Sequence, residues 1–281
     1  MPYIVPIDQA KQSFPHFEFV SALTPSEQKA AFHVRDDNGR DLCLKLISPD
    51  YSIDRVSREI NALQQIANPH VVRLEEYTYS SKSGQQLHFI IEEFVSGVDL
   101  AAKLGTAWTR GQAASFFAKL CDGLEALRKA GVIHRDLKPN NIRVRADDGP
   151  VIIDFGLVRV LSLPDLTKTA DGAAIGTPSY FAPEQFEGTK RDIDHRTDLF
   201  ALGILLFQAL TANHPFYSAG ITWPELHKAV CEGNQHFENA SFKALPHRWQ
   251  VLLRALLARS RASRPQTAGQ VGTLLTALGG V

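Results

Sequence analysis

Eight consecutive residues, His134-Arg135-Asp136-Leu137-Lys138-Pro139-Asn140-Asn141, contain a carboxylate, an ammonium and a carboxamide, and Asp154-Phe155-Gly156 adds a second carboxylate a short way downstream. Asn141 and Asp154 are hard oxygen donors, one neutral and one charged, of the kind Mg2+ combines with phosphate oxygens and water. Phosphoryl transfer asks little covalent help of a protein. It needs metal ions to neutralise phosphate charge, a group that orients the attacking hydroxyl, and cations beside the transferred group. Asp136 is a carboxylate suited to the hydroxyl, Asn141 and Asp154 to the metal. Taken singly, each of these residues reads as a surface charge or a turn, and an isolated Asp-Phe-Gly is no more than a turn. Their joint order and spacing point to chemistry.

The surrounding elements must hold these groups in register. Two short β-like runs, Ile142 to Arg145 and Val151 to Ile153, flank the turn Asp147-Asp148-Gly149 and form a hairpin between Asn141 and Asp154. Upstream, Phe116, Phe117, Leu120, Leu124 and Leu127 predict a helix that stops before Gly131. The first third of the chain reads as strands: Phe17 and Phe19, then Ala31 to Arg35, then Leu42 to Ile47 with Lys45 as its single charge, and Leu87 to Val95. Asp37-Asn38-Gly39-Arg40 is a turn signal between two of them. Val56, Ile60, Leu63 and Ile66 predict an amphipathic helix over 53–67, ended by Asn68-Pro69. From about Pro183 the chain reads as mainly helical.

With these motifs in place, the chain resembles the eukaryotic-type Ser/Thr protein kinase family over about residues 17–275, in a bacterial style. The resemblance implies an α+β, two-lobed fold: a β-rich N-lobe with one main helix (about 1–93), a hinge (about 94–99) and a larger α-helical C-lobe (about 100–281). It implies that Asp136 orients the acceptor hydroxyl, that Lys138 contacts the γ-phosphate, and that Asn141 and Asp154 bind the metal. Lys45 matches the lysine that pairs with the α- and β-phosphates, and Glu59 matches the helical glutamate that holds it. Glu93 falls at the hinge beside the base, and Asp99 is placed for a ribose hydroxyl. Gly176-Thr177-Pro178-Ser179-Tyr180-Phe181-Ala182-Pro183-Glu184 matches the end of the activation segment, with Thr177 bridging Asp136 and Lys138. Asp198, with Gly203 after it, matches the start of a buried central helix whose carboxylate accepts from the backbone around His134 and Arg135. Arg264 matches the partner of Glu184. Arg135 beside Asp136 implies control by a phosphate in the activation segment, for which Thr167 and Thr169 are the candidates.

Three features depart from the pattern. The stretch Ala22-Leu23-Thr24-Pro25-Ser26-Glu27-Gln28-Lys29-Ala30-Ala31 stands where a glycine-rich phosphate loop belongs and contains no glycine, so weaker nucleotide affinity is expected. Glu92 occupies a position beside the adenine pocket that is ordinarily apolar or threonine. Arg143 stands where an apolar residue forms the pocket floor; its methylenes can cover a ring while its head reaches water.

Composition narrows the remaining classes. Of 281 residues, 44% are hydrophobic, and 30 Lys and Arg balance 30 Asp and Glu, which argues against a general nucleic-acid binder. Cys43, Cys121 and Cys231 have no metal-ligand or disulfide spacing. No signal peptide is read at the start, and the run Leu199 to Leu210 is too short to span a bilayer, so the expectation is a cytoplasmic protein with no membrane partner. The resemblance implies ATP, Mg2+ with Mn2+ as the alternative ion, a protein substrate with a Ser or Thr acceptor, and autophosphorylation. With no sensor domain or anchor read after the kinase segment, input is expected in trans or through self-association. A pseudokinase, acting as a binding or scaffolding module, is the alternative that the glycine-free loop favours.

Overall fold

The computed structural model of the chain describes residues 2–26, 28–49, 57–82, 85–155, 178–186 and 193–279. The chain falls into two compact units. One holds the described residues up to Asn68 together with Val72–Val95; the other holds Pro69–Val71 and the described residues from Ser96 onward.

The first unit is an antiparallel sheet with strand order β1-β2-β3-β5-β4. Its strands are β1 (Glu18–Ala22), β2 (Lys29–Arg35), β3 (Asp41–Ile47), β4 (Leu74–Lys82) and β5 (Gln85–Glu93), with helices α1 (Ile7–Ser13) and α2 (Ser57–Gln64). Strand β3 is buried from Leu42 to Ile47, so alternate residues serve opposite faces. Leu42, Leu44 and Leu46 join Phe32, Phe89 and Ile91 in a core that Ala10 and Phe14 cover from the α1 side. Cys43, Lys45 and Ile47 point to the other face. Helix α2 buries Ile60 and Leu63, as the three-residue step requires, but ends at Gln64, three residues short of the expected limit. The expected turn before β3 is present. Its keystone is Asp36, whose Oδ1 accepts from the amides of Asn38 and Arg40, each at 2.9 Å. Helix α1 and strand β4 were not anticipated.

The second unit is mainly helical. Its short sheet has the order β6-β7-β8, from β6 (Val98–Asp99), β7 (Ile142–Val144) and β8 (Pro150–Ile152). The helices are α3 (Arg110–Lys129), α4 (Pro183–Phe186), α5 (Arg196–Thr211), α6 (Trp223–Cys231), α7 (Ala240–Lys243), α8 (His247–Leu256) and α9 (Ala268–Gly279). A capping box between Thr109 and Gln112 starts α3 two turns before the apolar repeat becomes visible. Helix α5 is buried on nearly every side, which marks it as the axis of the unit. Two glycines permit close contacts around α3 and α5. A Cβ at Gly203 would lie 2.8 Å from the Leu256 Cβ of α8, and one at Gly123 would lie 2.8 Å from the His70 carbonyl. Close approach at Gly123 brings His70 against β8, where its carbonyl accepts from Ile152 N–H at 2.9 Å. The hairpin that carries Asn141 and leads to Asp154 is thereby seated on α3. No described helix is long and apolar enough to cross a membrane.

Candidate active site

The loop between α3 and β7 is shaped by hydrogen bonds from its own backbone. Asp198, in the first turn of α5, is 4% exposed, and its two carboxylate oxygens accept from His134 N–H at 2.8 Å and Arg135 N–H at 2.9 Å. Burial pushes the Asp198 carboxyl above the ordinary range, and the two amides together with the neighbouring His134 and Arg135 work in the opposite direction. Arg135 takes a left-handed backbone with φ 64°, a conformation that non-glycine residues adopt at a cost. Its carbonyl accepts from Gln185 Nε2 at 2.9 Å, while Gln185 Oε1 accepts from Ala182 N–H at 3.0 Å. Gln185, which the sequence reading passed over, ties the Ala-Pro-Glu segment to the loop.

His134 is fully buried. Its Nε2 sits 3.0 Å from the Ile153 carbonyl, and its Nδ1 accepts from Asp136 N–H at 3.3 Å. One ring therefore fixes the backbone of Asp136 relative to the residue that precedes Asp154. Asp154 itself is left-handed, with φ 57°.

Three expected residues meet at one carboxylate. Asp136 Oδ2 accepts from Lys138 Nζ at 2.9 Å and from Asn141 Nδ2 at 3.0 Å, and the same Asn141 amide donates to the Asp136 carbonyl at 2.8 Å. Asn141 is 5% exposed. Because its NH2 end is committed to Asp136, its Oδ1 is the end left to serve as a ligand. A carboxamide oxygen and the Asp154 carboxylate fit a hard divalent ion that completes its shell with phosphate and water. Among the described residues no cluster of three or more His, Cys, Asp or Glu could hold a metal.

Asp99 and Arg143 face each other across the β6–β7 register. Arg143 Nη1 donates to Asp99 Oδ1 at 2.7 Å, and its Nη2 donates to the Gly97 carbonyl. The carboxylate expected for a ribose hydroxyl is thus bound by the guanidinium expected on the pocket floor. Arg264 grips Glu184 with both terminal nitrogens at 2.6 and 2.8 Å, the pairing that the family resemblance implied.

In the sheet unit, Lys45 Nζ donates to Glu92 Oε2, with the two side chains 7% and 6% exposed. This pairing was not anticipated, although both residues had been singled out. Glu59 lies on α2, its side chain outside the described residues. Glu93 accepts from Arg73 N–H at 3.1 Å and gives its own N–H to the Arg73 carbonyl at 2.9 Å. In the glycine-free stretch, Leu23 N–H bonds to the Ala31 carbonyl, Ser26 N–H to the Lys29 carbonyl and Gln28 N–H to Ser26 Oγ, while the Ser26 carbonyl accepts from Tyr3 N–H. Those amides are spent within the chain, and Pro25 has none. Glu27, Thr167, Thr169, Gly176 and Thr177 lie outside the described residues.

Known proteins bear on this arrangement. The chain is 30% identical over 272 residues to a probable serine/threonine-protein kinase, PknB, of Bifidobacterium longum, covering 89% of this chain and 38% of that protein. It is 36% identical over 184 residues to the serine/threonine-protein kinase PknD of Mycobacterium tuberculosis, covering 63% of the chain and 26% of the relative. It is 34% identical over 173 residues to the serine/threonine-protein kinase Pkn1 of Myxococcus xanthus, covering 60% and 24%. The chain therefore spans about a quarter to two fifths of the length of these relatives. The protein kinase domain model matches residues 30–272. The chain belongs to the protein kinase domain family, whose members use ATP and a divalent metal.

Proposed function

We propose that this chain transfers the γ-phosphoryl group of ATP, with Mg2+ or Mn2+, to Ser or Thr hydroxyls of proteins, its own activation segment included. The observation that carries the reading is the convergence of Lys138 and Asn141 on Asp136 Oδ2, on a loop anchored by Asp198. A carboxylate held this way accepts the hydrogen bond of an incoming hydroxyl without reorganising, which places the attacking oxygen for an in-line displacement. Lys138 puts a positive charge beside the transferred group as its charge redistributes. Asn141 Oδ1 and the Asp154 carboxylate would hold the metal, which when bound neutralises phosphate charge. Lys45 would hold the α- and β-phosphates, with Glu59 on α2 as a further partner. Glu93 and Asp99 would flank the nucleoside. Phosphate on Thr167 or Thr169 would find its counter-charge in Arg135, and Thr177 would bridge Asp136 and Lys138. The substrate is proposed to be a protein, with regulation in trans or by self-association, in the cytoplasm; the proposed limits are an N-lobe of about 1–93, a hinge of about 94–99 and a C-lobe of about 100–281.

The spent amides of the glycine-free loop favour a second reading, a pseudokinase that binds partners without catalysis. Transfer of radiolabelled γ-phosphate to the chain itself and to casein, measured for wild type beside Asp136→Ala and Asp154→Asn, separates the two. Catalysis requires label in wild type and its loss in both variants. Equal background in all three would leave the binding module.

A further inference from the structure

Lys45 and Glu92 meet by the register of a central strand pair. In the β3–β5 ladder Cys43 lies opposite Glu92 and Lys45 opposite Ile90, so Lys45 and Glu92 are diagonal neighbours on one face, a separation that long side chains bridge. Both are nearly sealed from solvent, at 5% and 4% residue exposure, and Lys45 Nζ donates to Glu92 Oε2. Two buried charges survive desolvation only when each answers the other with good geometry. Glu92 is also held rigidly, because β5 is hydrogen-bonded on both edges and Glu92 pairs with Cys43 on one side and Leu74 on the other. Glu93, next in sequence, is latched to Arg73 through both its amide and its carboxylate.

We propose that Glu92 is a positioning residue for Lys45, holding its ammonium from within the sheet. The inference rests on the kinase reading for the role of Lys45 and adds a second carboxylate to that role. Glu92 sits on an interior strand, paired on both edges, and provides an anchor from within the sheet.

The test compares wild type, Glu92→Gln, Glu92→Asp, Glu59→Gln, Lys45→Met and the double variant Lys45→Met with Glu92→Gln. Three readouts are taken on the full chain: affinity for a fluorescent ATP analogue with Mg2+, the KM for ATP against kcat, and thermal unfolding. Glu92→Gln should weaken analogue affinity and raise the KM about tenfold or more, Glu92→Asp should recover part of it, and Glu59→Gln should have the smaller effect. In unfolding, Glu92→Gln should lower the midpoint in the wild-type background and leave it unchanged or raise it in the Lys45→Met background, where Glu92 has lost its counter-charge. If Glu92→Gln fails to fold, the double variant must fold, since the unmatched buried charge is then gone; an unfolded double variant overturns the proposal. Unchanged or tighter analogue binding in Glu92→Gln, or additive unfolding effects, would also overturn it. A wild type that binds the analogue but transfers no phosphate would defeat the kinase reading while leaving the affinity and unfolding comparisons to judge Glu92.

Discussion

Replacing Arg264 by Met tests how the helical unit is held together. The Arg264 side chain is fully buried, and its five N–H groups find five acceptors. Nε donates to the Ala258 carbonyl at 2.8 Å; Nη1 donates to Glu184 Oε1 and the Arg196 carbonyl; Nη2 donates to Glu184 Oε2 and the Arg259 carbonyl. The guanidinium also lies 4.9 Å from the Phe200 ring centroid. Methionine keeps comparable bulk but removes every donor, leaving three carbonyls short of a partner and the Glu184 carboxylate with Thr197 Oγ1 at 2.8 Å. Removing one member of a buried ion pair costs about 3–5 kcal/mol. At about 2–4 °C per kcal/mol for a chain of this class, the unfolding midpoint should fall by about 6–20 °C.

The pH dependence sharpens the test. Burial alone pushes the Glu184 carboxyl up, but the bond and charge of Arg264, with Thr197, outweigh it and leave Glu184 below its ordinary value of 4.5. The unfolded chain then binds more protons, so stability is present above that value and is lost as pH falls through the folded one. In Arg264→Met, burial prevails and the sign reverses: the folded state holds the proton, and stability falls as pH rises through the raised value. Midpoints measured by circular dichroism from pH 4 to 8 read both effects. A shift under about 1 kcal/mol, the size of an exposed pair, or an unchanged pH slope would refute the reasoning.

Three further outcomes follow from the same geometry. Gly203→Ala brings a Cβ to 2.8 Å from the Leu256 Cβ; overpacking of about 1–3 kcal/mol should exceed the helix-propensity gain of about 1 kcal/mol, and denaturant unfolding should show net destabilisation. Arg143→Leu releases Asp99 from its 2.7 Å ion pair and should lower the KM for ATP; an unchanged KM would remove Asp99 from the ribose site. Wild-type stability should decline on acidification below about pH 4.5 as Glu184 takes up its proton, and a midpoint flat from pH 5 to 3 would contradict that.

The loop 134–141 was legible because its contacts are local. Asp136, Lys138 and Asn141 lie within six positions, and a turn alone brings their side chains together. Asp198, Glu184 and Arg264 were placed by family order, and the buried bonds of Asp198 to the His134 and Arg135 amides and of Arg264 to Glu184 match what that order implied. The two ion pairs beside the expected nucleotide positions were missed for a physical reason. Lys45–Glu92 and Asp99–Arg143 are set by strand register, and each joins a residue with an expected role to one that alone reads as a departure; counting the β3–β5 register from Leu42 opposite Glu93 would have paired the first. Helix α1 carries too few apolar residues to show a period. Strand β4 contains Glu75, Glu76, Ser80 and Ser81, which hide the alternation of a sheet edge. The tethering of the glycine-free loop to Tyr3 is a backbone contact that residue types do not encode.

The role of Asp136 is the centre of the account, and steady-state kinetics of Asp136→Asn with a direct measurement of ATP affinity tests it. Asparagine preserves shape but cannot accept the hydroxyl as a carboxylate does. The account predicts a fall in kcat of about 10²–10⁴-fold, the range for a positioned general base, with ATP affinity unchanged. A variant that turns over as fast as wild type, or one that loses activity only in proportion to lost ATP affinity, would contradict it.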